Sequence, residues 1–166
     1  MRPARSDPSN LPPVMIRTAG FEDVPAILRV ITRAVERGCR DHYDPAQRRA
    51  VVDSYGSHLF VEALERYELV AAQRASALVG AAQLDPADGR LRALFVDGVA
   101  QGGGLGGALL AEIEARARRR GLRRVHGAMS LNATAFYTRH GFHPCAGPAL
   151  LTGRIPVPVL PMEKIW

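Results

Sequence analysis

The part of the chain with the plainest chemistry is a run of five glycines in six positions: Gly102, Gly103, Gly104, Gly106 and Gly107. It lies between an apolar run at residues 91–96 and a stretch rich in alanine and arginine. Glycines have no side chain to block approach, so consecutive backbone N–H groups can converge on one anion, and the positive end of a helix starting there adds attraction. The spacing therefore predicts a site for a phosphorylated cofactor. A magnesium-dependent phosphate loop needs Lys and then Ser or Thr after its last glycine, where this chain has Ala108 and Leu109. A dinucleotide fold fits Gly102, Gly104 and Gly107 literally as G-x-G-x-x-G, but also needs an acidic residue about twenty positions on to hold a ribose. The next strand-like run, 124–129, ends without one, and only 59 residues follow Gly107. An NAD(P)-binding protein is therefore the weaker alternative.

Gln101, Gly104 and Gly106 fit a third pattern, Gln/Arg-x-x-Gly-x-Gly/Ala. Downstream, Ser130-Leu-Asn-Ala-Thr-Ala-Phe-Tyr-Thr-Arg-His-Gly-Phe142 offers a short helix carrying Asn132, then Phe136 and Tyr137, closed by Gly141 and Phe142. With these two signatures in this order, the chain resembles the GCN5-related N-acetyltransferases (GNAT) over residues 14–165. The resemblance implies an α/β fold with a mixed, mostly antiparallel central sheet and helices on both faces. It also implies acetyl-coenzyme A as co-substrate, no metal, and direct attack by a primary amine of a small molecule or peptide. A non-catalytic acyl-coenzyme A sensor on the same scaffold is the alternative of another class.

Carried over residue by residue, the resemblance gives the backbone of Leu94, Phe95 and Val96 to the pantetheine arm. It gives Gln101, Gly102, Gly103, Gly104, Leu105, Gly106 and Gly107 to the pyrophosphate. Gly103 stands where the family often has Arg or Lys, which removes a side-chain contact to phosphate. Asn132 would bond the pantetheine, or serve as a plain helix cap. Phe136 would pack on the same arm. Tyr137 would protonate the departing thiolate, or be a core aromatic with a satisfied hydroxyl. Relatives often place a carboxylate base on the fourth strand. Here that strand offers Arg90 and Arg92, with Asp97 only at its far end, so no general base is evident. Asp41, His42, Tyr43 and Asp44 cluster where the family binds acceptors, although polar residues before a helix ordinarily form a cap and turn.

Composition bounds the rest. At 166 residues with 47% hydrophobic residues, the chain is the size of one domain with a proper core. No apolar run approaches the length of about 20 residues that spans a bilayer, and the start has no signal-peptide pattern, so a cytoplasmic protein away from membranes is expected. Two cysteines, Cys39 and Cys145, cannot build a disulfide framework and are expected to be buried or idle. The formal charge of +6 is concentrated at Arg116, Arg118, Arg119, Arg120, Arg123 and Arg124. These either complement a helix C-terminus or send one or two side chains to a coenzyme phosphate. No aromatic residues are interleaved to stack bases, so nucleic acid is not an expected partner. A homodimer is left open.

The elements that must hold these residues follow from periodicity. Residues 1–13, with four prolines and no period, are predicted to be a disordered tail before a single domain at 14–166; Met15 is a candidate initiator. A strand at 15–19 precedes a helix capped by Asp23 and ended by Gly38; Asp44-Pro45 starts a second helix through 53, and a third spans 57–66. Strands at 68–73, 77–84 and 91–96 read as an antiparallel meander with a turn at 85–89. The cofactor helix is predicted at 104–120, a strand at 124–129, a helix at 132–140, and strands near Phe142 and at 161–165. His126, His140 and His143 share no ligand geometry and are expected to be solvated or core.

Overall fold

The computed structural model describes residues 11–151 and 153–166, without the side chains of 57–60. Residues 1–10 of the expected tail lie outside the described residues. The order is Val14–Thr18 (β1), Val24–Gly38 (α1), Pro45–Asp53 (α2), Ser57–Arg66 (α3), Glu68–Arg74 (β2), Ala77–Leu84 (β3) and Leu91–Val96 (β4). Leu105–Arg119 (α4), Arg124–Ser130 (β5), Thr134–Arg139 (α5), His143–Pro144 (β6), Leu150–Leu151 (β7) and Val157–Ile165 (β8) follow. β1, β2, β3 and β4 form one antiparallel sheet in that order; β5, β8 and β6 form a second, with β7 on β8.

The middle strands are apolar on both sides because both faces of the sheet are covered. Alternation along β2 sends Val70 and Ala72 to one side and Leu69 and Ala71 to the other. Val70 and Ala72 pack under α4, whose Leu105, Leu109, Leu110, Ile113 and Ala117 recur at helical spacing. Leu69 and Ala71 pack under α1 with Ile27, Ile31 and Val35. A fully buried leucine such as Leu109 contributes about 1.5–3 kcal/mol, so this pair of layers is what fixes α4 against the sheet.

Among the described residues the two sheets are bridged at one end, beside Arg90. Arg90 and His126 form an isolated parallel bridge, the His126 amide donates to the Gly89 carbonyl at 3.1 Å, and Gly127 allows close approach. A side-chain carbon on Gly127 would lie 2.7 Å from the Leu91 carbonyl oxygen. Past that bridge β4 pairs with β3 and β5 with β8, and no further ladder joins β4 to β5 among the described residues. The backbone edge of Leu94, Phe95 and Val96 is thereby left facing the gap. β4 also carries an irregularity: Leu84 opposes Leu91 and Gln83 opposes Ala93, which makes Arg92 the extra residue of a bulge.

Several details differ from the sequence reading. Asp23 does not cap α1 with its side chain; it holds Arg17 at 2.7 and 2.8 Å and accepts from the Gly20 amide, so the stronger charged partner wins. The helix expected at 132–140 is a 3-10 turn at Leu131–Ala133 followed by a helix from Thr134, so Asn132 is not its cap. Strand β7 was not anticipated; two residues are too few to show a period.

Candidate active site

The loop after β4 is fastened before it reaches the glycines. Asp97 is buried; its carboxylate accepts from the Val99 amide at 3.3 Å and from Arg33 at 3.2 Å, and its own amide donates to the Val79 carbonyl. This carboxylate is a loop fastener rather than a free base. Gln101 Nε2 donates to the Val96 carbonyl at 3.1 Å and ties the loop to the end of β4. Gly104 then takes φ +77°, a left-handed conformation that side-chain-bearing residues adopt at a cost, and α4 begins at Leu105. The first turn of α4 has unpaired N–H groups, as every helix start does, and here they border a cleft.

That cleft has a volume of about 540 Å³ and runs along the open edge of β4. Leu94, Phe95, Val96, Gln101, Gly102, Gly104, Leu105, Gly106 and Gly107 line it, as do Asn132, Phe136 and Tyr137. Of the expected cofactor-binding set only Gly103 is missing from the lining; it lies at the loop's outer turn. Cys39, Ser130, Arg139 and His140 also line the cleft, and the sequence reading did not place them there. His140, expected to be solvated or core, accompanies the loop because its Nδ1–H donates to the Phe136 carbonyl at 2.8 Å, one helical turn back. Its ring stacks at a tilt on Phe136 and abuts Gly107. The usable signal was the i, i+4 spacing from Phe136.

Tyr137 is 5% exposed, packs edge-on against Phe136 and Phe142, and lines both this cleft and a second, smaller cavity of about 80 Å³. Burial pushes its phenol well above the ordinary range, with Tyr55 adding in the same direction, so the hydroxyl keeps its proton. Cys39, Leu94, Phe95, Ser130 and Ala133 border both spaces too, so the two adjoin between the splayed ends of β4 and β5. The smaller cavity's lining contains no carboxylate and no histidine. Cys39 donates to Asn132 Oδ1 at 3.3 Å, and burial pushes its thiol up to about 11, so it is a neutral wall residue.

The Asp41–Asp44 cluster does not assemble as an acceptor site. Asp44 caps α2, accepting from the Gln47 amide at 2.8 Å, with Gln47 Oε1 accepting from the Asp44 amide in return. Tyr43 is buried, donates to the Pro158 carbonyl at 2.6 Å and accepts from the Leu131 amide at 2.9 Å, which pins the end of β5 to β8. Asp41 and His42 are exposed. The arginines at the far end of α4 do not reach the cleft either: Arg116, Arg119 and Arg120 pair with Glu112 and Glu68, Arg118 with Glu114, and Arg124 with Glu163. A 15-residue helix puts them about 20 Å from the glycines.

Beyond the smaller cavity lies an outer cleft of about 410 Å³. It shares Tyr55, Leu91, Arg92, Ala128 and Leu151 with that cavity. The Tyr55 hydroxyl donates to the Arg92 carbonyl at 2.7 Å, holding the bulge of β4 in place. Among the described residues there is no group of three or more His, Cys, Asp or Glu that could hold a metal, and no helix long and apolar enough to cross a membrane.

Comparison with known proteins agrees with this geometry. A GNAT acetyltransferase domain model matches residues 39–165. The chain is similar to a GCN5-related N-acetyltransferase from Rhodopseudomonas palustris, with a TM-score of 0.86 at 20% identity over 94% of this chain and 98% of that one. It is similar to the PaiA N-acetyltransferase of Thermoplasma acidophilum, solved in complex with coenzyme A, with a TM-score of 0.80 at 16% identity over 93% and 99% of the two chains. The ribosomal-protein-S18-alanine N-acetyltransferase of Escherichia coli gives 0.70 at 20% identity over 92% and 94%. A search of curated proteins gave no match. The mostly antiparallel, two-sheet α/β architecture and the domain match over more than half of the chain place it in the GNAT acetyltransferase family.

Proposed function

We propose that the protein transfers acetyl from acetyl-coenzyme A to a primary amine of a small molecule or peptide by direct attack. The observation that carries this reading is Tyr137, a protonated phenol in the shared wall of two adjoining cavities. The larger cleft fits the coenzyme. It offers an unpaired strand edge for an amide-bearing arm and a helix N-terminus behind a glycine turn for a pyrophosphate. When bound there, acetyl-coenzyme A supplies an activated acetyl thioester.

The remaining chemistry falls to this chain's own groups. Backbone groups of Leu94, Phe95 and Val96 hold the arm in register, and the amides from Gln101 to Gly107 hold the phosphates. Asn132 and Phe136 flank the arm from α5's side. Tyr137 gives its proton to the sulfur as the carbon–sulfur bond breaks, and the amine arrives neutral from the smaller cavity. With no carboxylate in that cavity, amine deprotonation is left to solvent. Free thiol release from acetyl-coenzyme A in the presence of a panel of primary amines tests the reading. Turnover with at least one amine is expected. Coenzyme binding without turnover on any amine would favour an acyl-coenzyme A sensor, and a comparable affinity for nicotinamide dinucleotides would restore the rejected dinucleotide reading.

A further inference from the structure

We infer that the acceptor amine carries an anionic group, carboxylate or phosphate, held in the outer cleft by Arg66, Arg90, Arg92 and Gln83. The inference rests on the transfer reading above and names the acceptor class that reading leaves open. The outer cleft is lined by three arginines against one carboxylate, Glu62. Its other lining residues, including Ser54, Tyr55 and Tyr67, are neutral. Arg90 and Arg92 share this wall because residues two apart on a strand project from the same face, with Leu91 and Ala93 buried on the other. The Arg92 guanidinium stacks on the Tyr67 ring at 4.3 Å, which orients it without neutralising its charge.

About half of the described arginines outside this cleft are matched by carboxylates. Arg17, Arg33, Arg48, Arg116, Arg118, Arg119, Arg120 and Arg124 each sit in an ion pair with a carboxylate. Among the described residues the side chains of Arg66, Arg90 and Arg92 have no such partner, although Glu62 borders the same cleft. The second observation is independent of charge. Gln83 is 4% exposed, lines the cleft, and its Nε2 has no hydrogen-bond partner among the described residues. A buried amide donor without an acceptor is costly, and an anionic oxygen in the cleft supplies one. Forked guanidinium groups suit the same oxygens.

The outer cleft adjoins the smaller cavity at Tyr55, Leu91, Arg92, Ala128 and Leu151, and that cavity's lining includes Tyr137. On this inference one small molecule bridges the adjoining spaces, its anion among the arginines and its amine toward Tyr137. A volume of about 410 Å³ suits such a molecule. A polyamine would bring positive charge against positive charge.

The test is a calorimetric titration of matched amines into the full chain saturated with coenzyme A, repeated on the coenzyme-free protein. The probes are β-alanine, γ-aminobutyrate, their neutral amides, O-phosphoethanolamine and putrescine. The anionic amines should bind about ten-fold or more tightly than the amides, the worth of one charged hydrogen bond, and putrescine more weakly than either. Whether carboxylate or phosphate gains more identifies the anion. In the double variant Arg66→Gln with Arg90→Gln the preference should fall at least several-fold while the coenzyme's thermal shift is retained, which also shows that the variant folds. Equal binding of acid and amide to the wild-type chain would overturn the inference, as would a preference that the double variant keeps. Failure to bind the coenzyme would sink the transfer reading by itself, because the coenzyme-free titration still decides the anion site.

Discussion

Replacing Tyr137 with Phe separates two roles of one buried ring. Phenylalanine keeps the packing against Phe136 and Phe142 and removes only the hydroxyl. A proton given to the departing thiolate acts on charge that exists only as the thioester breaks, so its loss lowers the rate and leaves ground-state binding alone. Tyr137→Phe is expected to slow acetyl transfer by about 10²–10⁴-fold with coenzyme affinity unchanged. Single-turnover transfer rates would show this, and an unchanged chemical step in the variant would remove Tyr137 from the mechanism. This residue was legible in the sequence because its motif is local: Phe136, Tyr137 and Gly141 sit within one short helix and its turn. Cys39 and Arg66 were not, because they join the clefts only through contacts between elements far apart in the chain. Arg90 and Arg92 were noticed as the wrong charge for a base. Alternation puts them on one face, but the cleft they line is completed by Arg66, Gln83 and Tyr67 from other elements, which no local pattern reveals.

At the scale of elements, the cradle is a strand end, a left-handed glycine and the start of α4. A Cβ added at Gly104 meets no atom within 4 Å, so the first carbon of a glutamate there has open space. The glutamate costs about 1–2 kcal/mol of backbone strain from the positive φ. Its effect should fall on the ligand, by occupying the phosphate position and repelling it. In the parent chain, coenzyme at a hundredfold excess over its Kd is expected to stabilise by about 2.7 kcal/mol, and in Gly104→Glu that gain should vanish. A thermal-shift titration in which the variant responds like the parent would put the cradle elsewhere. The cap of α2 gives a contrasting case. Asp44→Ala loses the reciprocal pair with Gln47 and should cost about 1 kcal/mol of stability in urea unfolding without changing coenzyme affinity. A large loss of coenzyme affinity instead would mean that Asp44 also supports the coenzyme cleft. Periodicity and turn residues made α2, α3, β3 and β4 readable to within a residue. It failed at α5 because a 3-10 turn and a short helix share one pattern of polar and apolar residues.

The whole molecule carries buried acids whose titration sets an upper limit in pH. Burial pushes the Cys39 thiol up to about 11 and the Tyr55 phenol up to about 12, and it raises Tyr137 further in the same direction. In the unfolded chain these groups release their protons near about pH 8.5 for a thiol and about pH 10 for phenols. Between those values and the raised ones, the folded state binds more protons than the unfolded state, so stability falls as pH rises. The contribution is complete below about pH 8.5 and declines from there toward about pH 12. A primary amine acceptor changes in the opposite sense: a larger fraction is neutral and reactive as pH approaches about 10. Tyr137, holding its proton, does not limit the rate on that side. Turnover should therefore climb with pH on the amine's ionisation and then be cut off by unfolding rather than by loss of the acid. Urea unfolding at intervals from about pH 8 to about pH 11 should show a falling midpoint, with a shallower slope in Tyr55→Phe, which removes one of the coupled protons. Phenolate absorbance of the folded protein should lag behind that of the unfolded chain. A midpoint that stays level across that range, or a Tyr55→Phe slope equal to the parent's, would mean that these groups titrate alike in both states and that the alkaline limit has another origin.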